Sequence, residues 1–166
     1  MLAEEQGERP MRTILAVLLL AVLAIRPAAA AEATGQTVYL PVYSHIWHGD
    51  MKGDGSPERL LVSTLVSIRN TDPRHPITLQ QADYYDTDGK LIRHYAEQPR
   101  IIGPMATVEY FVTLTDTSGG SGANFLIRWS AAQAVSDPVV EGVHAYFRGT
   151  HSLGFLTQGR VVGEGK

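Results

Sequence analysis

Apolar and polar residues alternate with a period of two through most of this chain. In residues 37–43, Val38, Leu40 and Val42 take one side, and Thr37, Tyr39 and Pro41 the other. Side chains of a strand point alternately to its two faces, so this pattern predicts a half-buried strand. Pro41 cannot donate to a ladder, which places it at a sheet edge or a bend. Residues 61–68 alternate again, with Val62, Thr64, Val66 and Ile68 on one face, and stop at Asn70-Thr71-Asp72-Pro73. Asn and Asp bond their own backbone there, and the proline forbids continuation. Residues 77–85 and 91–95 form a hairpin closed by Asp86-Thr87-Asp88-Gly89, with Gly89 supplying the positive φ. Residues 106–114 and 125–129 alternate on either side of a glycine-rich run, residues 139–147 follow, and a last strand lies within 154–162. Trp129 is the candidate for the largest single burial. Residues 44–50 read as a turn leading into a soluble loop, and residues 163–166 as a disordered tail. About eight short strands separated by turn signals, with no helical periodicity after residue 31, predict an all-β, antiparallel, immunoglobulin-like β-sandwich.

The first residues change the picture of where the protein resides. Residues 14–25 are an unbroken run of twelve apolar residues, preceded by Arg12 and followed by Arg26-Pro27 and Ala28-Ala29-Ala30-Ala31. This is the pattern of a secretory signal peptide cleaved near Ala30 or Ala31, and the run is short for a bilayer span of about twenty residues. Glu4, Glu5 and Glu8 are unusual in such a leader, which makes Met11 a candidate start. The expectation is a signal peptide over 1–31 and one domain over 32–166. No twin-arginine pair precedes the apolar run, so the general secretion route to the periplasm or the exterior is favoured. No membrane span is expected in the mature chain.

Composition narrows the partners. The 166 residues carry 14 Lys+Arg against 17 Asp+Glu, dispersed along the chain, which argues against nucleic acid. With no cysteine there is neither a disulfide nor a lipid-attachment site, and the apolar core must hold the fold alone.

Four segments together resemble a known bacterial family. They are Val42-Tyr43-Ser44-His45-Ile46 through Gly49-Asp50, Ser67-Ile68-Arg69-Asn70-Thr71-Asp72, residues 83–91, and residues 116–125. In this order they are similar to the exported family catalogued as domain of unknown function 3124. The resemblance implies export and a single fold, and brings no catalytic residue with it.

Two places carry candidate chemistry. Asp116-Thr117-Ser118-Gly119-Gly120-Ser121-Gly122-Ala123-Asn124 either bonds its own backbone, holding two core strands in register, or forms a ligand- or partner-binding loop from Asp116, Thr117, Ser118, Gly119, Gly120, Ser121, Gly122 and Asn124. Ser121 does not sit in a nucleophile elbow, because its last position is alanine and its flanks are strands. No lysine or helix follows the glycines as a phosphate loop would require. His45, His48 and Asp50 could hold zinc or copper if residues 44–50 form a turn, since His-x-x-His does not converge on one strand face. Asp86 to Glu97 departs from a calcium loop, because Lys90 and Leu91 stand where an oxygen ligand and a glycine are needed. Tyr39, Tyr43, Tyr84 and Tyr95 either rim the core or form a recognition face. The composite expectation is a non-enzymatic ligand- or protein-binding or assembly module of the cell envelope, without a cofactor, its partner a protein or small ligand; the alternative is a metal-binding protein or metal-dependent enzyme built on His45, His48 and Asp50.

Overall fold

The computed structural model describes residues 32–164, which belong to one compact unit running from Ala31 to Lys166. The expected signal peptide lies outside the described residues. Twelve strands form: β1 (Glu32–Pro41), β2 (His45–His48), β3 (Glu58–Leu61), β4 (Ser63–Arg69), β5 (Ile77–Tyr85), β6 (Leu91–His94), β7 (Arg100–Ile102), β8 (Thr107–Val112), β9 (Asn124–Ser136), β10 (Val139–Arg148), β11 (His151–Gln158) and β12 (Arg160–Glu164). One sheet orders them β12-β1-β9-β5-β6, with β7 also pairing β5; the other orders them β11-β10-β4-β8; β2 and β3 pair only with each other. Every pairing is antiparallel.

The core lies between the two larger sheets. Val38, Leu40, Ile77, Leu79, Phe125, Ile127 and Trp129 enter it from the six-stranded sheet, and Val66, Ile68, Val108, Val112 and Val140 from the four-stranded one. Trp129 is fully buried and is the largest such side chain. Pro41 ends β1 opposite Asn124 of β9, beyond the last pairing of β1 with β12, so its missing N–H breaks no ladder.

Several expectations need correction. About eight strands become twelve. β2, β3 and β7 are short pieces at the rim of the sandwich, where little is buried and period two is weak. The single last strand is two, β11 and β12, broken at Gly159, whose N–H bonds the Val140 carbonyl at 2.8 Å. Gly163 and Glu164, read as tail, complete β12 by pairing with Thr37 and Gln36. Residues 45–48, read as a turn, are a strand, because pairing with β3 supplies the backbone partners that the residues' own polarity did not announce. Tyr84 is a core residue, so the four tyrosines do not form one recognition face.

The Asn70 turn is the strongest polar anchor of the sandwich. Asn70, 2% exposed, donates from Nδ2 to the carbonyls of His75, Ile102 and Gly103 at 2.8, 3.2 and 2.9 Å, and its Oδ1 accepts the Asp72 N–H at 3.0 Å. Asp72 Oδ1 accepts the N–H groups of Arg74 and His75. The Arg74 N–H is the main reason the Asp72 carboxyl is held below its ordinary range, against the opposing effect of burial. With Asp72 Oδ2 accepting the Ser136 N–H at 3.4 Å, one turn thereby ties β4 to the ends of β5, β7 and β9.

Candidate functional site

The glycine loop connects β8 to β9 and closes down on its neighbours. The Gly119 carbonyl accepts the Thr87 N–H at 2.9 Å and the Thr87 hydroxyl at 3.0 Å, while the Gly122 N–H donates to Thr87 Oγ1 at 3.0 Å. Carbonyls of Gly120 and Ala123 accept the N–H groups of Ser44 and Val42, both at 2.9 Å. Beneath the loop, the buried Tyr84 hydroxyl shares a hydrogen bond of 3.1 Å with Ser44 Oγ. Burial pushes the Tyr84 phenol above its ordinary range; the Asp116 carboxylate and Tyr95 add to the shift, and the Ser44 hydrogen bond opposes it.

This packing explains why glycine is needed twice. A Cβ on Gly119 would run into the Tyr84 hydroxyl and approach the Ala123 Cβ within 2.7 Å. Gly120 sits at φ +79°, a backbone conformation that side chains disfavour, and a Cβ there would strike Thr87 Oγ1. Asp116 turns inward on its own loop, accepting the N–H and hydroxyl of Ser118. Gly119 is buried; Asp116, Gly120, Ser121 and Asn124 are half-buried; Thr117, Ser118 and Gly122 are exposed. The loop is thus a clasp between β8–β9, the β5–β6 hairpin and the β1–β2 link, made largely through its own backbone.

The structure brings Ser44 against the clasp, yet it separates the histidines that follow. In β2, His45 and Trp47 share one face and His48 the other. His45 is 7% exposed, packs edge-to-face on Trp47 with ring centroids 4.8 Å apart, and has no hydrogen-bond partner at either ring nitrogen. Burial, then the Arg59 charge, lower its pKa. His48 is exposed, with Nε2 3.9 Å from Glu58 Oε2, and Asp50 lies in the exposed loop beyond. Among the described residues no group of three His, Cys, Asp or Glu stands close enough to hold a metal ion.

Two histidine environments were not foreseeable from spacing. His144, fully buried on β10, accepts the Tyr43 N–H at Nε2 over 3.1 Å and stacks on Phe155 with ring centroids 4.4 Å apart. Burial lowers its pKa to about 4, against the pull of the Gly142 and Phe155 carbonyls. His94 Nδ1 lies 2.8 Å from Oδ1 of the buried Asp83, whose other oxygen accepts the Gln81 amide at 2.6 Å. This pair ties β6 to β5 on the outer face of the six-stranded sheet. Strict alternation from Ile77 and Leu79 would put Asp83 on the core side. The irregularity between Leu79 and Gln81 switches the phase, so that Ala82 and Tyr84 face the core, Asp83 faces outward, and the register with β6 brings His94 to it.

On the outer face of the four-stranded sheet polar pairs, Ser67 Oγ with Glu109 Oε1 at 3.2 Å and Arg69 Nε with Glu141 Oε1 at 2.9 Å, lie to one side of an apolar row. Registers align Phe111, Leu65, Val143 and Leu156 in one row across β8, β4, β10 and β11. Phe111 and Leu156 are 54% and 62% exposed, and Phe147, two residues beyond Ala145 on the same face of β10, is 78% exposed. One side of the row is small, with Ser63, Ala145 and Gly154; the other is polar, with Glu109, Ser67, Glu141 and Gln158.

Two antiparallel sheets around one apolar core, polar clasps at the rim and a bare apolar row outside define a β-sandwich module. The chain belongs to the family described as Protein of unknown function (DUF3124), whose model matches residues 35–162, from β1 into β12. Among solved structures it is similar to the crystal structure of Thermotoga maritima 1070, with 14% identity, 78% of this chain and 96% of that chain covered, and a TM-score of 0.44. No curated protein matches the sequence.

Proposed function

We propose that this protein is an exported, non-enzymatic binding or assembly module of the cell envelope, and that its contact face is the outer surface of the four-stranded sheet. The observation that carries this reading is the outward-facing row of exposed Phe111, half-buried Leu65 and Val143, and exposed Leu156, extended by exposed Phe147. A contiguous apolar face rimmed by polar residues favours a protein partner, because each buried Å² contributes about 25 cal/mol once water leaves it. The glycine loop supports the reading from the other direction. Its backbone groups are largely engaged by Val42, Ser44 and Thr87, so it acts as the clasp that keeps the sandwich rigid. Export rests on the apolar run at 14–25 and the alanines that follow it.

The test replaces Phe111 and Leu156 together by Glu. Both are exposed, so melting temperature should change little. The wild-type domain should retain a discrete envelope protein that the double variant does not. Equal retention by the two would refute the assignment. N-terminal sequencing of the exported protein tests the leader: a mature chain beginning near Ala31 is expected, and one still carrying residues 14–25 would overturn it.

A further inference from the structure

A second feature lies away from the apolar row. The β2–β3 and β10–β11 hairpins face each other across a cleft of about 350 Å³, lined by His48 and Leu60 from the first and by Tyr146, His151, Ser152 and Leu153 from the second. The volume is near the lower end for small-molecule sites. Ile46 pairs with Leu60 and His48 with Glu58, so these four share the hairpin face that looks into the cleft, while His45 and Trp47 take the other. On the opposite hairpin Tyr146 pairs with Leu153 and Arg148 with His151, which puts those four on one face as well.

The chemistry of the cleft is polarised. Leu60, Leu153 and the Tyr146 ring give it carbon walls, whereas at the β10–β11 turn His151 lines it and the exposed Arg148, its cross-strand partner on the same face, stands at its margin. Ser152, the partner of Phe147, belongs by register to the other face of the hairpin and borders the cleft only at its edge. Glu58, the cross-strand partner of His48, has its Oε2 3.9 Å from His48 Nε2. A ligand that satisfies both halves needs an apolar body and one acceptor-rich head. A carboxylate suits the head, because its two oxygens match the forked donors of a guanidinium.

We infer that this cleft binds a small amphipathic carboxylate, with its acyl or aromatic body between Leu60, Tyr146 and Leu153 and its head at His151 and the neighbouring Arg148. The site is distinct from the outer sheet face, and the experiment separates the two. Anilinonaphthalene sulfonate, an apolar aromatic anion that fluoresces when it leaves water, is titrated into the purified protein and then displaced by octanoate or by its neutral counterpart octanol. One saturable class of sites is expected, with octanoate displacing the dye at a concentration about tenfold lower than octanol, the ratio one charge-assisted hydrogen bond supplies. Arg148→Glu should weaken octanoate about tenfold and leave octanol unchanged. Leu153→Arg should abolish dye binding; Arg148, being exposed, keeps the test decisive should that variant fail to fold. No saturable binding, equal displacement by octanoate and octanol, or an Arg148→Glu variant that binds octanoate as the wild type does would overturn the assignment. So would loss of the dye site on Phe111→Glu, which would place it on the outer sheet instead.

Discussion

His144 gives the sharpest test of the core, because its charge is set by packing rather than by a partner. The neutral ring accepts the Tyr43 N–H and lies flat on Phe155, so a proton on Nε2 would cancel the hydrogen bond and place a charge among aromatic rings. Its pKa falls to about 4 in the fold, against about 6.5 in an unfolded chain. Between those values the unfolded state takes up a proton that the folded state refuses. Stability therefore falls as pH falls through this window, by about 1.4 kcal/mol for each pH unit, or about 3 kcal/mol in all. Urea denaturation of the wild type and of His144→Gln, between about pH 7 and about pH 4.5, measures this directly. The variant is expected to lose about 1–2 kcal/mol at neutral pH, since the fit to Phe155 worsens, yet to follow a flatter profile than the wild type. His45, also lowered by burial, contributes the same sign to both proteins and cancels in the difference. Parallel profiles for the two proteins would refute the assignment of the window to His144.

Other perturbations test the clasps and the metal reading. Asn70→Ala leaves three carbonyls and the Asp72 N–H without their partner in a buried turn, and should cost about 2–4 kcal/mol by chemical denaturation; a loss within experimental error would deny the turn its anchoring role. Gly119→Ala should destabilise by about 2 kcal/mol or more through collision with the Tyr84 hydroxyl, and Tyr84→Phe should relieve part of it, so that the double variant loses less than the two single losses combined. Strict additivity would mean that the loop does not rest on Tyr84. Asp72, held below the ordinary carboxylate range, stabilises the fold above the unfolded carboxylate pKa of about 3.9, and that contribution disappears as pH falls through its lower folded value; Asp72→Asn should remove this acid-side slope from a denaturation series. Excess zinc or copper should leave the melting temperature unchanged, because His45 and His48 project from opposite faces of β2; a clear rise would restore the metal site at His45, His48 and Asp50.

The elements most legible in the sequence were those whose side chains face the core on one side and water on the other. Val62, Thr64, Val66 and Ile68 are all buried, as are Phe125, Ile127 and Trp129, because period-two burial writes itself directly into residue choice, whereas β5 keeps its bounds at 77–85 but changes phase between Leu79 and Gln81. The Asn70–Asp72 and Asp86–Gly89 turns were legible for a related reason: their side chains bond their own backbone, so the cause is local. What escaped depends on contacts far along the chain. Nothing near Thr87 announces that its hydroxyl will meet Gly119 and Gly122, and nothing near Tyr43 announces His144, 101 residues away. The same holds for the apolar row. Phe111 and Leu65 stand on the faces opposite the core-side alternation of their strands, residues 139–147 and 154–162 carry no face assignment in the sequence, and only register shows that Phe111, Leu65, Val143 and Leu156 align.

The central claim is that recognition belongs to this aligned row and the glycine loop serves as a clasp. A photo-crosslinking amino acid placed at Leu156, at Thr117 in the exposed part of the loop, or at Arg128 on the opposite sheet, followed by irradiation of intact cells, compares the three surfaces under identical conditions. The account predicts one discrete protein adduct from position 156, lost when Phe111 is changed to Glu, and none from 117 or 128. An adduct formed from 117 but not from 156 would contradict it and return recognition to the loop.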